Sequence, residues 1–154
     1  MIIVSDTSAI TALIQIRQAE ILTQLYQSVI IPTEVEQELR RHHAGLPDFI
    51  RVIPVSDRAQ FLKLTAELDP GEAAAITLML EGCGDLLIID ERRGRRIAER
   101  EHIPVVGLLG VLMEAKIKGL IPSLAAVIAE LENAVDFRIS SRLKAVALQR
   151  AGEK

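Results

Sequence analysis

Leu86–Leu87–Ile88–Ile89–Asp90–Glu91 is an unbroken apolar run that ends in two acids. Gly82 and Gly84 stand before it, and charge follows at once. A short apolar run with those borders reads as a strand buried on both faces. The N-terminus repeats the design: Met1–Ile2–Ile3–Val4 leads to Asp6–Thr7–Ser8. Two strands thus deliver a carboxylate at their C-terminal ends. In open α/β sheets that is the end where ligands bind, and carboxylate oxygens are the ligands that hard divalent cations choose.

Working outward, the rest of the chain alternates strand and helix. Ile10, Leu13, Ile14, Ile16, Ile21, Leu22 and Leu25 recur at helical spacing, in two pieces broken near Arg17–Gln18. Val29–Ile30–Ile31 is a short strand closed by Pro32, which opens a helix over 33–41. A strand over 51–55 carries Pro54 and suits a sheet edge. Helices follow over 57–68 and from Asp69–Pro70–Gly71–Glu72 to Leu80. Beyond the central strand come a polar helix over 91–101, a fifth strand over 103–106 and helices over 108–118, 123–133 and 140–149. This alternation predicts an α/β protein, a parallel five-stranded sheet covered by helices on both faces in three α/β/α layers. Right-handed crossovers restrict the strand order. With strands one and four side by side at the centre the order is 3-2-1-4-5, and Asp6 and Asp90 stand on the two lips of the central crevice. No repeat or linker interrupts the 154 residues, which read as a single domain, 1–154.

Composition narrows the function. Hydrophobic residues make up 49% and the mean hydropathy is +0.28, which excludes disorder. No apolar stretch reaches the roughly 18 residues of a membrane span, and the N-terminus lacks the basic region of a secretory signal; a cytoplasmic protein is expected. Cys83 is the single cysteine and can form neither an internal disulfide nor a zinc site. The net charge of −3 argues against a protein that holds nucleic acid by phosphate neutralisation alone. It weighs less against a metallonuclease, whose ions bring positive charge to the reacting centre. Aromatics at 3% exclude a base-stacking platform built from several rings.

Each acid has a purely structural reading. Asp6 and Asp90 suit helix N-caps, a role contributing about 1 kcal/mol. Asp69 and Glu72 have capping-box spacing. Glu34 and Glu38 suit a solvated helix face. The functional reading rests on convergence: acids far apart in sequence meet at one sheet edge, where their mutual repulsion is relieved by a divalent cation. Two such ions about 3.5–4 Å apart can clamp both oxygens of a phosphodiester displacement.

The order and spacing of Asp6–Thr7–Ser8, Pro32–Thr33–Glu34–Val35–Glu36–Gln37–Glu38–Leu39, Gly71–Glu72–Ala73–Ala74–Ala75–Ile76 and Leu86–Leu87–Ile88–Ile89–Asp90–Glu91 resemble a PIN domain. More narrowly they resemble the PIN-like branch grouped with toxin–antitoxin ribonucleases, and the resemblance runs on through Arg92–Arg93–Gly94–Arg95–Arg96 and Ala115–Lys116–Ile117–Lys118–Gly119–Leu120–Ile121–Pro122. It implies a Mg²⁺- or Mn²⁺-dependent ribonuclease that leaves 3′-hydroxyl and 5′-phosphate ends. Asp6, Glu38, Glu72 and Asp90 match the catalytic acids, with Glu34 the weaker alternative to Glu38. Asp6, Glu72 and Asp90, with Glu91 where many relatives carry a second Asp, match the metal ligands. Thr7 or Ser8 takes the place of a small polar residue beside the first acid. The third acid is typically Asp, so Glu72 must reach one methylene further. An RNA substrate, an antitoxin partner and a homodimer are the companions the resemblance implies. The helices at 108–117 and 124–131 offer either a partner surface or core.

The arginines beside Asp90 read two ways. The run Arg92, Arg93, Arg95 and Arg96 with Arg100, and Arg92, Arg93 and Arg96 foremost, can grip RNA phosphates with planar guanidinium forks, or form a solvated face paired with Glu91, Glu99 and Glu101. Arg96 can alternatively anchor an acidic ligand. His42, His43 and His102 read as loop or helix-end histidines. A receiver-type phosphoacceptor domain lacks its lysine after strand five, and an aspartyl phosphatase lacks Asp at Ser8. The alternative from another class is a catalytically silent PIN-like module that binds RNA or protein.

Overall fold

The computed structural model describes residues 1–135 and 137–153. Five strands, β1 (Ile2–Ser5), β2 (Ser28–Pro32), β3 (Ile50–Ile53), β4 (Leu86–Ile88) and β5 (Val105–Val106), form one sheet of order β3-β2-β1-β4-β5. Every neighbouring pair is parallel, with Val4 opposite Ile30 on one side and Leu87 on the other. The predicted order therefore holds. β5 is shorter than its apolar run, and β3 ends at Ile53, before Pro54.

Alternation along the strands sorts the core into two halves. Ile3, Val29, Ile31 and Ile88 face one side, with α1 (Thr7–Gln15), α2 (Glu20–Leu25), α3 (Thr33–His42), α7 (Leu108–Ile117), α8 (Leu124–Ala134) and α9 (Ser141–Arg150). Val4, Ile30, Leu87 and Ile89 face the other, with α4 (Arg58–Leu64), α5 (Pro70–Leu80) and α6 (Arg92–Arg100). Because both faces are covered, the strands read as continuous apolar runs and the architecture is three-layered. α5 has no polar stripe: Ala73, Ala74, Ala75, Ile76 and Leu78 are all fully buried, as befits a helix enclosed on every side. The apolar residues of α7 and α8 belong to the core, with Leu108, Val111, Leu112, Leu124, Ile128 and Leu131 fully buried.

Local signals set the boundaries. The break between α1 and α2 falls at Arg17, a non-glycine residue in the left-handed region with φ 59°. Asp6, Asp57 and Asp69 cap α1, α4 and α5 by accepting main-chain N–H groups, with Pro70 in the first turn of α5. Among the described residues no helix is long and apolar enough to cross a membrane.

Candidate active site

β1 and β4 are neighbours whose connections leave to opposite sides, so the sheet has its switch point between their C-terminal ends. Asp6 is the first residue after β1. Its N–H donates to Ile88 O of β4 at 3.1 Å, and its carboxylate accepts from Ala9 N (3.2 Å) and from the Ser8 hydroxyl (3.2 Å). The capping role foreseen for Asp6 is thus real. It also aims the carboxylate into a cavity of about 390 Å³ lined by Asp6, Thr7, Ser8, Glu38, Asp69 and Glu72, with Phe137 and His42 at its margin.

The acids reach this cavity from three helices. Glu38 lies one turn from the end of α3, close enough to α5 that a Cβ on Gly71 would stand 2.6 Å from Glu38 Oε1. Glu34, its alternative, is turned away and pairs with Arg58 Nη1 at 3.2 Å. Asp69 caps α5 by accepting from Glu72 N at 2.9 Å. The reciprocal bond of a capping box, from Asp69 N to the Glu72 side chain, is not made among the described residues. Glu72 lies instead over the start of α6, where a Cβ on Gly94 would be 3.5 Å from its Oε2. Thr7 Oγ1 is buried among these acids beside the Glu38 carboxylate, whose rise it opposes.

Burial and crowding show in the proton affinities. Burial pushes the Asp6 carboxyl up to about 7, and the nearby charge of Asp90 adds to the rise; the bonds from Ala9, Ser8 and the Asp90 N–H oppose it. Burial, then the charges of Asp69, Glu91 and Asp6, push Glu72 up to about 8. Glu38 rises for the same two reasons, burial first and Asp69 second. Among the described residues no Lys or Arg lines the cavity to compensate.

Asp90 goes elsewhere. Both its carboxylate oxygens accept from Leu108 N, at 3.2 and 3.0 Å, so it caps α7 and not α6. It lines an adjacent cavity of about 310 Å³ with Arg92, Arg95, Arg96 and Glu99. Burial raises its carboxyl too, against the Leu108 bond and the charge of Arg95. Glu91 is exposed at the N-cap of α6 and makes no side-chain cap bond. Arg93 turns away from both Asp6 and Asp90: it donates to Glu67 O at 3.3 Å and lines a further cavity with Arg96 and Arg100. Among the described residues none of Arg92, Arg93 and Arg96 pairs with Glu91, Glu99 or Glu101; the α6 ion pair is Arg100–Glu67 at 3.9 Å.

Two residues of this region escape a reading by sequence. Asp69 reads as a cap only, and its capping-box spacing carries no sign that it also faces Glu38 and Glu72. Arg95 is one arginine in a run of four, and only its reach toward Asp90 distinguishes it.

The donors around the main cavity are oxygens apart from the His42 imidazole, and predominantly acidic, which suits a hard divalent cation in type and charge. The raised proton affinities of Asp6 and Glu72 mark the positive charge that the cavity lacks. Among the described residues no three His, Cys, Asp or Glu side chains converge as a ready ligand set, so holding an ion would require the acids to draw together.

A family model described as PIN domain matches residues 2–153. No curated protein and no solved structure matches the chain. PIN domains are generally nucleases and typically use divalent metals. With that match spanning nearly every residue and the parallel 3-2-1-4-5 sheet beneath it, the chain belongs to the PIN-domain family.

Proposed function

We propose that this protein is a Mg²⁺- or Mn²⁺-dependent ribonuclease that hydrolyses RNA phosphodiester bonds. One observation carries the reading: Asp6, Glu38, Asp69 and Glu72 meet in one cavity at the switch point, and burial and mutual repulsion raise the proton affinity of Asp6 and Glu72. Asp6, Glu72 and Glu38 would hold the ion, with Asp69 beside them and Asp90 and Glu91 at the rim. When bound, the ion supplies Lewis acidity toward phosphate oxygens and lowers the pKa of water. Glu38 would orient the attacking water. Arg92 and Arg96 would take phosphate oxygens of the strand next to Asp90, while Arg93 is turned toward Glu67 and would meet the RNA only beyond the reacting phosphate. The proposed setting is the toxin of a toxin–antitoxin pair, cytoplasmic, with an antitoxin as partner and a homodimer as the working form; exposed Ile117, Leu143 and Val146 on α7 and α9 supply apolar surface for such contacts.

The test is a labelled RNA strand incubated with the protein and Mg²⁺, Mn²⁺ or EDTA. Cleavage leaving 3′-hydroxyl ends is expected with either metal and lost with EDTA. Asp6→Asn should reduce it on the order of 10²–10³-fold, as loss of a charge-stabilising group at a reacting centre does. RNA that stays intact under every condition, or is cut as fast by Asp6→Asn, refutes the assignment.

A second reading, a silent PIN-like module that binds RNA or protein, is favoured by the placement of Asp90 on the Leu108 amide, outside the main cavity. Calorimetric titration with Mn²⁺ separates the two. The silent module takes up no ion, or takes it up unaffected by Asp90→Ala.

A further inference from the structure

Asp90 lies between two cavities of opposite character. Its main-chain N–H donates to the Asp6 carboxylate and its charge is felt by Asp6, so it belongs to the same sheet edge. Its carboxylate, however, lies on the Leu108 amide and among the arginines. Arg95 is the arginine whose charge acts on it. Arg95 Nη1 donates to Ile89 O at 3.2 Å, which fixes the guanidinium beside the residue preceding Asp90. Gly107 closes the arrangement: a Cβ there would stand 2.6 Å from Asp90 Oδ1 and 3.0 Å from Arg95 Nη1. The acid, the guanidinium and the amide pack in space that only glycine leaves free.

We propose that Arg95, the Leu108 amide and the bare Cα of Gly107 together hold Asp90 in a withdrawn position, and that Asp90 leaves it to join the acids of the main cavity when a divalent cation binds. Arg95 is then a positioning residue that sets metal affinity through Asp90. The inference rests on the metal-dependent reading above. Two arrangements of one side chain compete, and the cation shifts their populations only by its preference for the joined one. Weakening the withdrawn arrangement therefore tightens metal binding. Arg95→Met keeps most of the apolar stem and removes the guanidinium. Gly107→Ala has an ordinary backbone, φ −90°, and displaces the carboxylate by contact.

The experiment has two readouts, both independent of RNA cleavage. Mn²⁺ affinity is measured by electron paramagnetic resonance for the wild type, Asp6→Asn, Arg95→Met, Gly107→Ala, Asp90→Asn and the Arg95→Met/Asp90→Asn double variant. The Leu108 amide resonance is followed during titration with Mg²⁺. Arg95→Met and Gly107→Ala are each expected to bind Mn²⁺ on the order of fivefold tighter than wild type. The gain from Arg95→Met should vanish in the Asp90→Asn background, since the cycle isolates the pairwise effect from loss of a positive charge. The Leu108 amide proton should move upfield as Mg²⁺ fills the wild-type site, as an amide released from a carboxylate does, and already lie upfield in metal-free Gly107→Ala. Mn²⁺ binding that depends on Asp6 but gains equally from Arg95→Met with or without Asp90, or a Leu108 amide indifferent to Mg²⁺, overturns the inference alone. Absence of Mn²⁺ binding, or binding untouched by Asp6→Asn, overturns the metal-dependent reading and the inference with it.

Discussion

Asp6 shows how one side chain serves structure and site at once. As a cap it satisfies α1; as a buried acid at a folded pKa of about 7 it opposes folding at neutral pH. A carboxyl whose folded pKa lies above its unfolded value of 3.8 contributes stability that is fully present below 3.8 and lost as pH rises through about 7. Asp6→Asn keeps a favoured cap residue and removes the charge. Melting of the metal-free protein should therefore show the variant gaining on the wild type from pH 5 to pH 8, ending several degrees more stable while unable to cut RNA. A gap that is constant across this range would show that Asp6 does not titrate there. Functional sites commonly carry such a cost in stability.

Among elements, close approach decides what each helix contributes. α5 brings Gly71 against the Glu38 carboxylate of α3, and a side chain there must push that carboxylate aside. Gly71→Ala should fold, because only the flexible end of Glu38 and, by a few tenths of an ångström, the Thr7 hydroxyl at 3.3 Å have to yield, and should lose about tenfold in RNA cleavage, the scale on which misplaced catalytic groups act. Wild-type rates in this variant would remove Glu38 from the site. At the other end of the molecule Glu153, just past α9, accepts from Leu124 N (2.6 Å) and Ala125 N (3.1 Å) and pairs with Lys116 at 3.4 Å. Those two amide bonds, ahead of Lys116, hold its pKa below the ordinary value of 4.5. A lowered pKa contributes stability above the unfolded value, and that stability is lost as pH falls through the folded one. Glu153→Ala should lower the melting temperature by a few degrees at pH 7, with the difference closing as pH falls below 4.5 and the wild-type acid is protonated. A difference that is the same at every pH would assign the effect to packing.

For the whole molecule the acids act as a shared sink for positive charge. A ligand that binds the folded state alone raises the melting temperature with its concentration. On the proposed reading, protons and a divalent cation would compete for Asp6 and Glu72, which burial and neighbouring charges push up to about 7 and about 8. Millimolar Mn²⁺ should thus stabilise the protein more at pH 8 than at pH 5, and the increment should shrink in Glu72→Gln. An equal increment at both pH values would place the ion away from these acids. Much of this organisation is legible in the sequence. Ile88 and Ile89 announce a strand and Asp90 its functional end, while the alternation of strand and helix announces the layers. The fate of Glu34 is not legible, because it depends on Arg58, which lies 24 positions away and is brought near only by the fold.

Chain order was enough to announce five parallel strands and, with strands one and four as central neighbours, the order 3-2-1-4-5 with Asp6 and Asp90 at the ends of those two strands; Glu38 and Glu72 were matched by family resemblance. The reason is that apolar periodicity, turn residues and crossover handedness are properties of short segments. Which way each acid faces was left to tertiary structure. Asp69 joins Glu38 and Glu72, the charge of Arg95 acts on Asp90, and Asp90 turns to an amide 18 residues further on. A side chain's direction follows from the strongest partner within its reach, and those partners exist only once distant segments have packed.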